Sequence, residues 1–120
     1  MDLDDLISPL PAPLGRWMLR RMVASGVRYG HDFVALLVRG ADPDALAGVL
    51  RGADVFAHWE TGDLLALLPD TDRTGGARVV QRVRDATGAS VGVAHWGGDL
   101  AEDLLERASR ALAADSPQPA

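Results

Sequence analysis

Apolar positions recur along this chain with two different periods, and the switches between them predict its elements. Over residues 14–27, Leu14, Trp17, Met18, Met22 and Val23 repeat at helical spacing, with Arg16, Arg20 and Arg21 between or opposite them. Pro13 suits the first turn of that helix, and Gly26 or Gly30 suits its end. Residues 33–38 are a continuous apolar run, the mark of a strand buried on both faces. Asp42 and Pro43 then open a short helix through Leu50, with Leu46, Val49 and Leu50 inward. Residues 53–59 alternate, with Val55, Ala57 and Trp59 on one side and Asp54, Phe56 and His58 on the other. Glu60-Thr61-Gly62-Asp63 reads as a tight hairpin turn, and the returning strand over 64–68 stops at Pro69. A helix over 74–86 follows from Ala77, Val80, Val83 and Ala86, with Asp72 or Thr74 as its cap and Gly88 as its end. The last strand spans 89–95. Gly97-Gly98 leads into a helix over 99–112 whose inward stripe is Leu100, Leu104, Leu105, Ala108 and Leu112.

The order is helix, β-α-β-β-α-β, helix. Strands two and three make a hairpin, and both helical crossovers cover one face of the sheet. The expected fold class is therefore α+β, a ferredoxin-like antiparallel sheet with added N- and C-terminal helices. Residues 1–12 are expected to form a flexible N-terminal segment, 13–113 the domain, and 114–120 a disordered tail.

Composition narrows the chemistry. At 120 residues, 48% hydrophobic and 24% charged, the chain fits one ordinary globular domain. Its net charge of −5 speaks against a nucleic-acid partner. All 12 basic residues are arginine, so every cation carries the planar fork suited to phosphate or guanine edges. With no cysteine, disulfides, thiolate metal sites and thiol nucleophiles are excluded. Asp2, Asp4 and Asp5 sit where a signal peptide would be positive, and no apolar run approaches the ~20 residues of a membrane span, so the expected location is cytoplasmic. His31, His58 and His95 are too scattered to make a metal site, and Gly75-Gly76 and Gly97-Gly98 lack the Lys-Ser/Thr of a phosphate loop. No metal or cofactor is expected.

From Arg51 to Thr71 the chain becomes recognisable. Arg51-Gly52-Ala53-Asp54, five further residues, the Glu60-Thr61-Gly62-Asp63-Leu64 turn, an apolar strand and Pro69-Asp70-Thr71 together resemble the centre of a GGDEF (diguanylate cyclase-like) domain. Gln81-Arg82-Val83-Arg84, the strand Ser90-Val91-Gly92-Val93-Ala94 and the closing Leu104-Leu105-Glu106-Arg107-Ala108 are similar to later stretches of that family. Pro13-Leu14-Gly15 through Arg20-Arg21, and Arg28-Tyr29-Gly30, are similar to its opening. The resemblance implies a palm-like fold and bacterial signalling through cyclic di-GMP.

The departures from the family pattern bear on activity. The family's turn uses two glycines to let backbone approach the substrate, where this chain has Glu60 and Thr61. Asp63 keeps a carboxylate at the fourth position, while Gly62 takes the third. After the first strand an active cyclase carries a metal-binding Asp and a longer helical segment that reads guanine. Here Val38-Arg39-Gly40-Ala41-Asp42 leads straight into a short helix, and Arg39 falls near the place of the metal carboxylate. Phosphoryl transfer relies on metal ions held by carboxylates, so the expectation is a degenerate, shortened, noncatalytic domain with no catalytic residues.

Two roles stay open for such a domain. The first is regulation by protein-protein interaction, with a partner protein or by self-association. The alternative is a cyclic di-GMP receptor, and active nucleotidyl cyclase is the least favoured. The resemblance implies cyclic di-GMP binding at the RxxD motif, Arg51 and Asp54, with Arg82 as a further arginine of that site. An Arg-x-x-Asp pair also arises easily in an arginine-rich chain, and is then a solvated ion pair worth roughly 0–1 kcal/mol. Of the tryptophans, Trp59 is expected in the core or the vacated nucleotide pocket, Trp96 as an exposed contact, and Trp17 with Met18 and Met22 as core packing.

Overall fold

A computed structural model describes residues 9–115 of the chain. Helix α1 spans Ala12–Tyr29, strand β1 Phe33–Arg39, helix α2 Pro43–Ala47, strand β2 Val55–His58, strand β3 Leu64–Pro69, helix α3 Arg73–Thr87, strand β4 Ser90–His95 and helix α4 Ala101–Asp115. The sheet runs β2-β3-β1-β4 with every neighbouring pair antiparallel. This is the ferredoxin-like order expected from the sequence.

Side-chain alternation divides β1 between two cores. Val34, Leu36 and Val38 pack with Leu46 of α2 and with Val79, Val80 and Val83 of α3. Phe33, Ala35 and Leu37 face Leu19 of α1 and Leu104, Ala108 and Leu112 of α4. The central strand thus touches helices on both sides, which explains its unbroken apolar run. The α2 and α3 helices start on side-chain caps. Asp42 accepts from the Asp44 N–H at 3.1 Å and Asp72 from the Gly75 N–H at 2.7 Å. Packing of α4 on β4 is intimate. A Cβ added at Gly92 would lie 2.1 Å from the Ala108 carbonyl oxygen, so only glycine permits this approach.

Several details differ from the sequence expectation. Trp17 is 54% exposed and Leu14 also faces out, because α1 turns Gly15, Leu19 and Gly26 to the sheet; Met18, Met22 and Val23 are partly buried beside them. Gly26 lets the Trp96 ring approach the helix, and Trp96 is buried, stacked on Phe33 at 5.6 Å with its indole N–H donated to the Asp99 carbonyl. Trp96 is therefore a core residue and not an exposed contact. On α3 the inward stripe is Gly76, Val79, Val80 and Val83, while Ala77 and Ala86 are exposed. Leu100 precedes α4 and is 68% exposed. The second helix ends at Ala47, although Val49 and Leu50 still pack on its core. Of the ends expected to be loose, 1–8 and 116–120 lie outside the described residues. Leu10 exchanges backbone hydrogen bonds with Phe56 and His58 of β2, and Asp115 accepts from the Val91 N–H at 2.7 Å. These bonds tie both ends of the described chain to the sheet.

Candidate functional site

The β2–β3 connection is a short 3-10 turn over Glu60–Gly62, one residue wider than a tight hairpin turn. Gly62 has φ +82, a left-handed conformation that favours glycine. The Trp59 N–H donates to the Asp63 carbonyl at 2.8 Å and closes the loop. Because Val38 pairs with Leu64 across the β1–β3 ladder, Arg39 and Asp63 come next to each other at its end. Their side chains form a bidentate fork. Arg39 Nε donates to Asp63 Oδ1 at 3.0 Å and Nη2 to Oδ2 at 2.9 Å. The Asp63 side chain is 7% exposed and that of Arg39 is 51% exposed. These hydrogen bonds, with the charge of Asp63, hold the Arg39 pKa above its usual value.

This arrangement does not fit the divalent cation on which the family's chemistry rests. Such ions take several oxygen ligands, whereas the buried carboxylate of the turn is already forked by a guanidinium. Among the described residues, no three His, Asp or Glu side chains are grouped to hold a metal ion.

Beside the fork lies a groove of about 470 Å³ between the turn and α4. Leu37, Leu105 and Leu112 form its apolar part, and Arg16, Trp59, Glu60, Glu102 and Glu106 line the rest. Arg16 of α1 lies over the Trp59 ring at 4.8 Å and pairs with Glu60 at 3.0 Å. Trp59 itself is partly buried against the core of the terminal helices. One turn further along α1, Arg20 reaches Glu102 at 3.4 Å. Glu102 is held below the ordinary carboxylate range, first by a hydrogen bond from its own backbone N–H in the opening turn of α4 and then by Arg20.

The RxxD motif sits elsewhere. Arg51 and Asp54 line a pocket of about 510 Å³ at the opposite end of β3, together with His31, Asp32, Asp70 and Asp72. Arg51 is exposed, and Asp54 uses its carboxylate to accept the Arg51 backbone N–H at 2.8 Å, closing the turn. Arg82 lines a separate cleft with Gly48, Val49 and Asp85. The fold thus brings Arg51 and Asp54 together and leaves Arg82 outside their pocket. As site residues, Asp32, Asp70, Asp72 and Arg16 were missed by the sequence reading, which gave Asp70 only within the Pro-Asp-Thr stretch, Asp72 only as a helix cap and Arg16 only as a polar position of the first helix. They reach these sites by tertiary contact, which motif spacing does not record. His31 and His95 stand 3.4 Å from Asp70 and Asp32, and His58 is exposed.

No protein-family model and no curated protein matches this sequence. Solved structures do. The chain is similar to diguanylate cyclase SiaD from Pseudomonas aeruginosa, solved with its activator SiaC, at TM-score 0.79 and 22% identity over 88% of this chain. It spans 54% of the SiaD chain, about half its length. It is similar to the GGDEF domain of TpbB (YfiN) from Pseudomonas aeruginosa at TM-score 0.81 and 16% identity, covering 92% of this chain and 86% of that one. It is also similar to the coiled coil and GGDEF domain of DgcB from Caulobacter crescentus, solved with cyclic di-GMP, at TM-score 0.81 and 13% identity, covering 92% and 78%. A small α+β domain with this strand order and these flanking helices has the fold of a GGDEF domain.

Proposed function

We propose that this chain is a noncatalytic GGDEF-fold regulatory domain that acts in the bacterial cytoplasm through contact with other protein surfaces. The observation that carries this reading is the Arg39–Asp63 fork. At the end of β1, where metal-assisted phosphoryl transfer calls for carboxylates, a fixed cation holds the one buried acid of the turn. A GTP–metal complex brought there would meet a guanidinium in place of a ligand, and the short α2 supplies no segment to read guanine. The SiaD neighbour was solved with a protein activator, which supports contact between proteins as a use of this fold. No helix among the described residues is long and apolar enough to cross a membrane. Incubation of the chain with GTP and Mg²⁺ or Mn²⁺, followed by chromatography of the nucleotides, is expected to yield no dinucleotide. Appreciable turnover would overturn the reading.

A second reading, reception of cyclic di-GMP, is favoured by the exposed Arg51 beside Asp54 in an open pocket, and by the ligand solved on DgcB. It ranks lower on electrostatic grounds. Asp32, Asp70 and Asp72 line the same pocket and oppose a ligand carrying two phosphates, while Arg82 lies in another cleft. Calorimetry with cyclic di-GMP decides between them: heat at micromolar protein that disappears in Arg51→Ala would promote the receptor role.

A further inference from the structure

We infer that the open edge of β4 takes up an extended segment of another protein as an added antiparallel strand, centred on Val93. The inference rests on the interaction-domain reading and names the surface and the kind of partner. It begins with the bonding phase of the sheet. β4 lies at one edge, beside β1. The Trp96 N–H donates to the Phe33 carbonyl at 3.0 Å, and in an antiparallel ladder every second pair exchanges bonds in this way. Counting back through the register, Ala94 with Ala35 and Gly92 with Leu37 are the bonded pairs. Val91, Val93 and His95 therefore turn their N–H and C=O groups away from β1.

Two of these outward groups are held by α4. Asp115 accepts the Val91 N–H at 2.7 Å, and Arg107 donates to the His95 carbonyl at 2.7 Å. Ala111 sits one turn from each on the same helix face and has no polar group to offer the strand. The Val93 N–H and C=O, the Val91 C=O and the His95 N–H thus have no partner among the described residues. Val93 is also 39% exposed, a β-branched side chain in the middle of the gap. The opposite edge of the sheet differs, since Leu10 bonds to both Phe56 and His58 of β2.

A row of unpaired donors and acceptors is a template for one more strand, and here the two caps fix its limits. A segment whose middle residue faces Val93 exchanges both bonds there, donates to the Val91 carbonyl at one end and accepts the His95 N–H at the other. That defines the partner's chemistry. It is an extended segment of about five residues, without proline at the bonded positions, and with a β-branched or apolar middle side chain to cover Val93. Main-chain bonds supply the affinity in such strand addition, and the alternate side chains supply the choice. Residues 116–120 include Pro117 and Pro119, whose nitrogens donate nothing to a ladder. A second copy offering the same edge would bring its own α4, which rests on β4 at Gly92, against this one. A lone segment carries no helix to accommodate.

Amide hydrogen exchange by NMR on the full chain tests the proposal. Without additions, the Val93 and His95 amides should exchange about tenfold or more faster than those of Gly92 and Ala94. The probe is the blocked peptide Lys-Thr-Thr-Val-Thr-Thr-Lys at about 1 mM. It should slow Val93 and His95 about twofold or more, as half-occupancy requires, and the same peptide N-methylated at its valine should not. Val93→Lys should weaken the protection about two- to fivefold, with an unchanged circular dichroism spectrum because the side chain is exposed. Slow exchange of Val93 and His95 in the peptide-free chain, whether independent of its concentration or rising with it, overturns the proposal, because the edge is then already covered. So does a peptide that leaves both amides unchanged, or equal protection by the N-methylated form. None of these outcomes touches the noncatalytic reading, which falls only if GTP is converted.

Discussion

Replacing Asp63 by asparagine tests whether the fork holds the turn. The substitution keeps the shape of the side chain and removes the charge from both bonds, at 3.0 and 2.9 Å. Breaking a fully buried pair costs about 3–5 kcal/mol, and breaking an exposed one about 0–1 kcal/mol. This pair lies between, since the carboxylate is 7% exposed and the guanidinium is half in water at 51%. Hydrogen bonds to charged groups contribute about 1.5–3 kcal/mol, so Asp63→Asn should destabilise the domain by about 2 kcal/mol. At roughly 4–8 °C per kcal/mol for a domain near this size, Tm should fall by about 10 °C. The order of effects is as informative as the size. Arg39→Met should cost more than Asp63→Asn, because it takes the cationic partner from a buried carboxylate, while the reverse change leaves a cation that water already reaches. Urea denaturation followed by circular dichroism measures both, and the double variant should recover part of the Arg39→Met loss. The reasoning fails if Asp63→Asn lies within about 0.5 kcal/mol of the parent, or if Arg39→Met is the milder change.

Two further substitutions probe the frame around the site. Gly92→Ala would drive a Cβ to 2.1 Å from the Ala108 carbonyl and 2.4 Å from the Leu112 backbone nitrogen. It should cost about 3 kcal/mol or more by prising α4 from β4, and a melt unchanged from the parent would contradict that close approach. Asp99 is held below its usual 3.8, first by the Gly97 backbone N–H and then by Arg107. A depressed carboxylate contributes stability that is present above its unfolded value and lost as pH falls through the folded one. Urea midpoints should therefore drop as pH falls below about 3.8, and Asp99→Asn should flatten that acid limb. An identical acid limb in the variant would rule this out.

Much of the architecture was legible because strand and helix periods differ and the punctuation is chemically explicit. The short apolar run over 33–38 read best as a buried strand, and β1 is that strand. Asp42, Asp72 and Gly88 marked boundaries through backbone groups that caps must satisfy. The site was half legible. Arg39 stood out against the family pattern, and Asp63 as the acid left in the turn, since each is read from its own position along the chain. That the two make a fork was not visible, because their meeting depends on the β1–β3 register. The same holds for Arg16 on Trp59 and for the carboxylates around Arg51, which come from segments far apart in sequence.

The sequence by itself determined the order of elements and the all-arginine set of cations, because these follow from local pattern and residue type. Only the tertiary structure decided which apolar residues were left outside. Trp17 and Trp96 exchanged their expected places when α1 presented Leu19 and Gly26 to the sheet. A helix seen alone has an apolar arc wider than the face a sheet can cover, and packing chooses which edge of that arc stays in water.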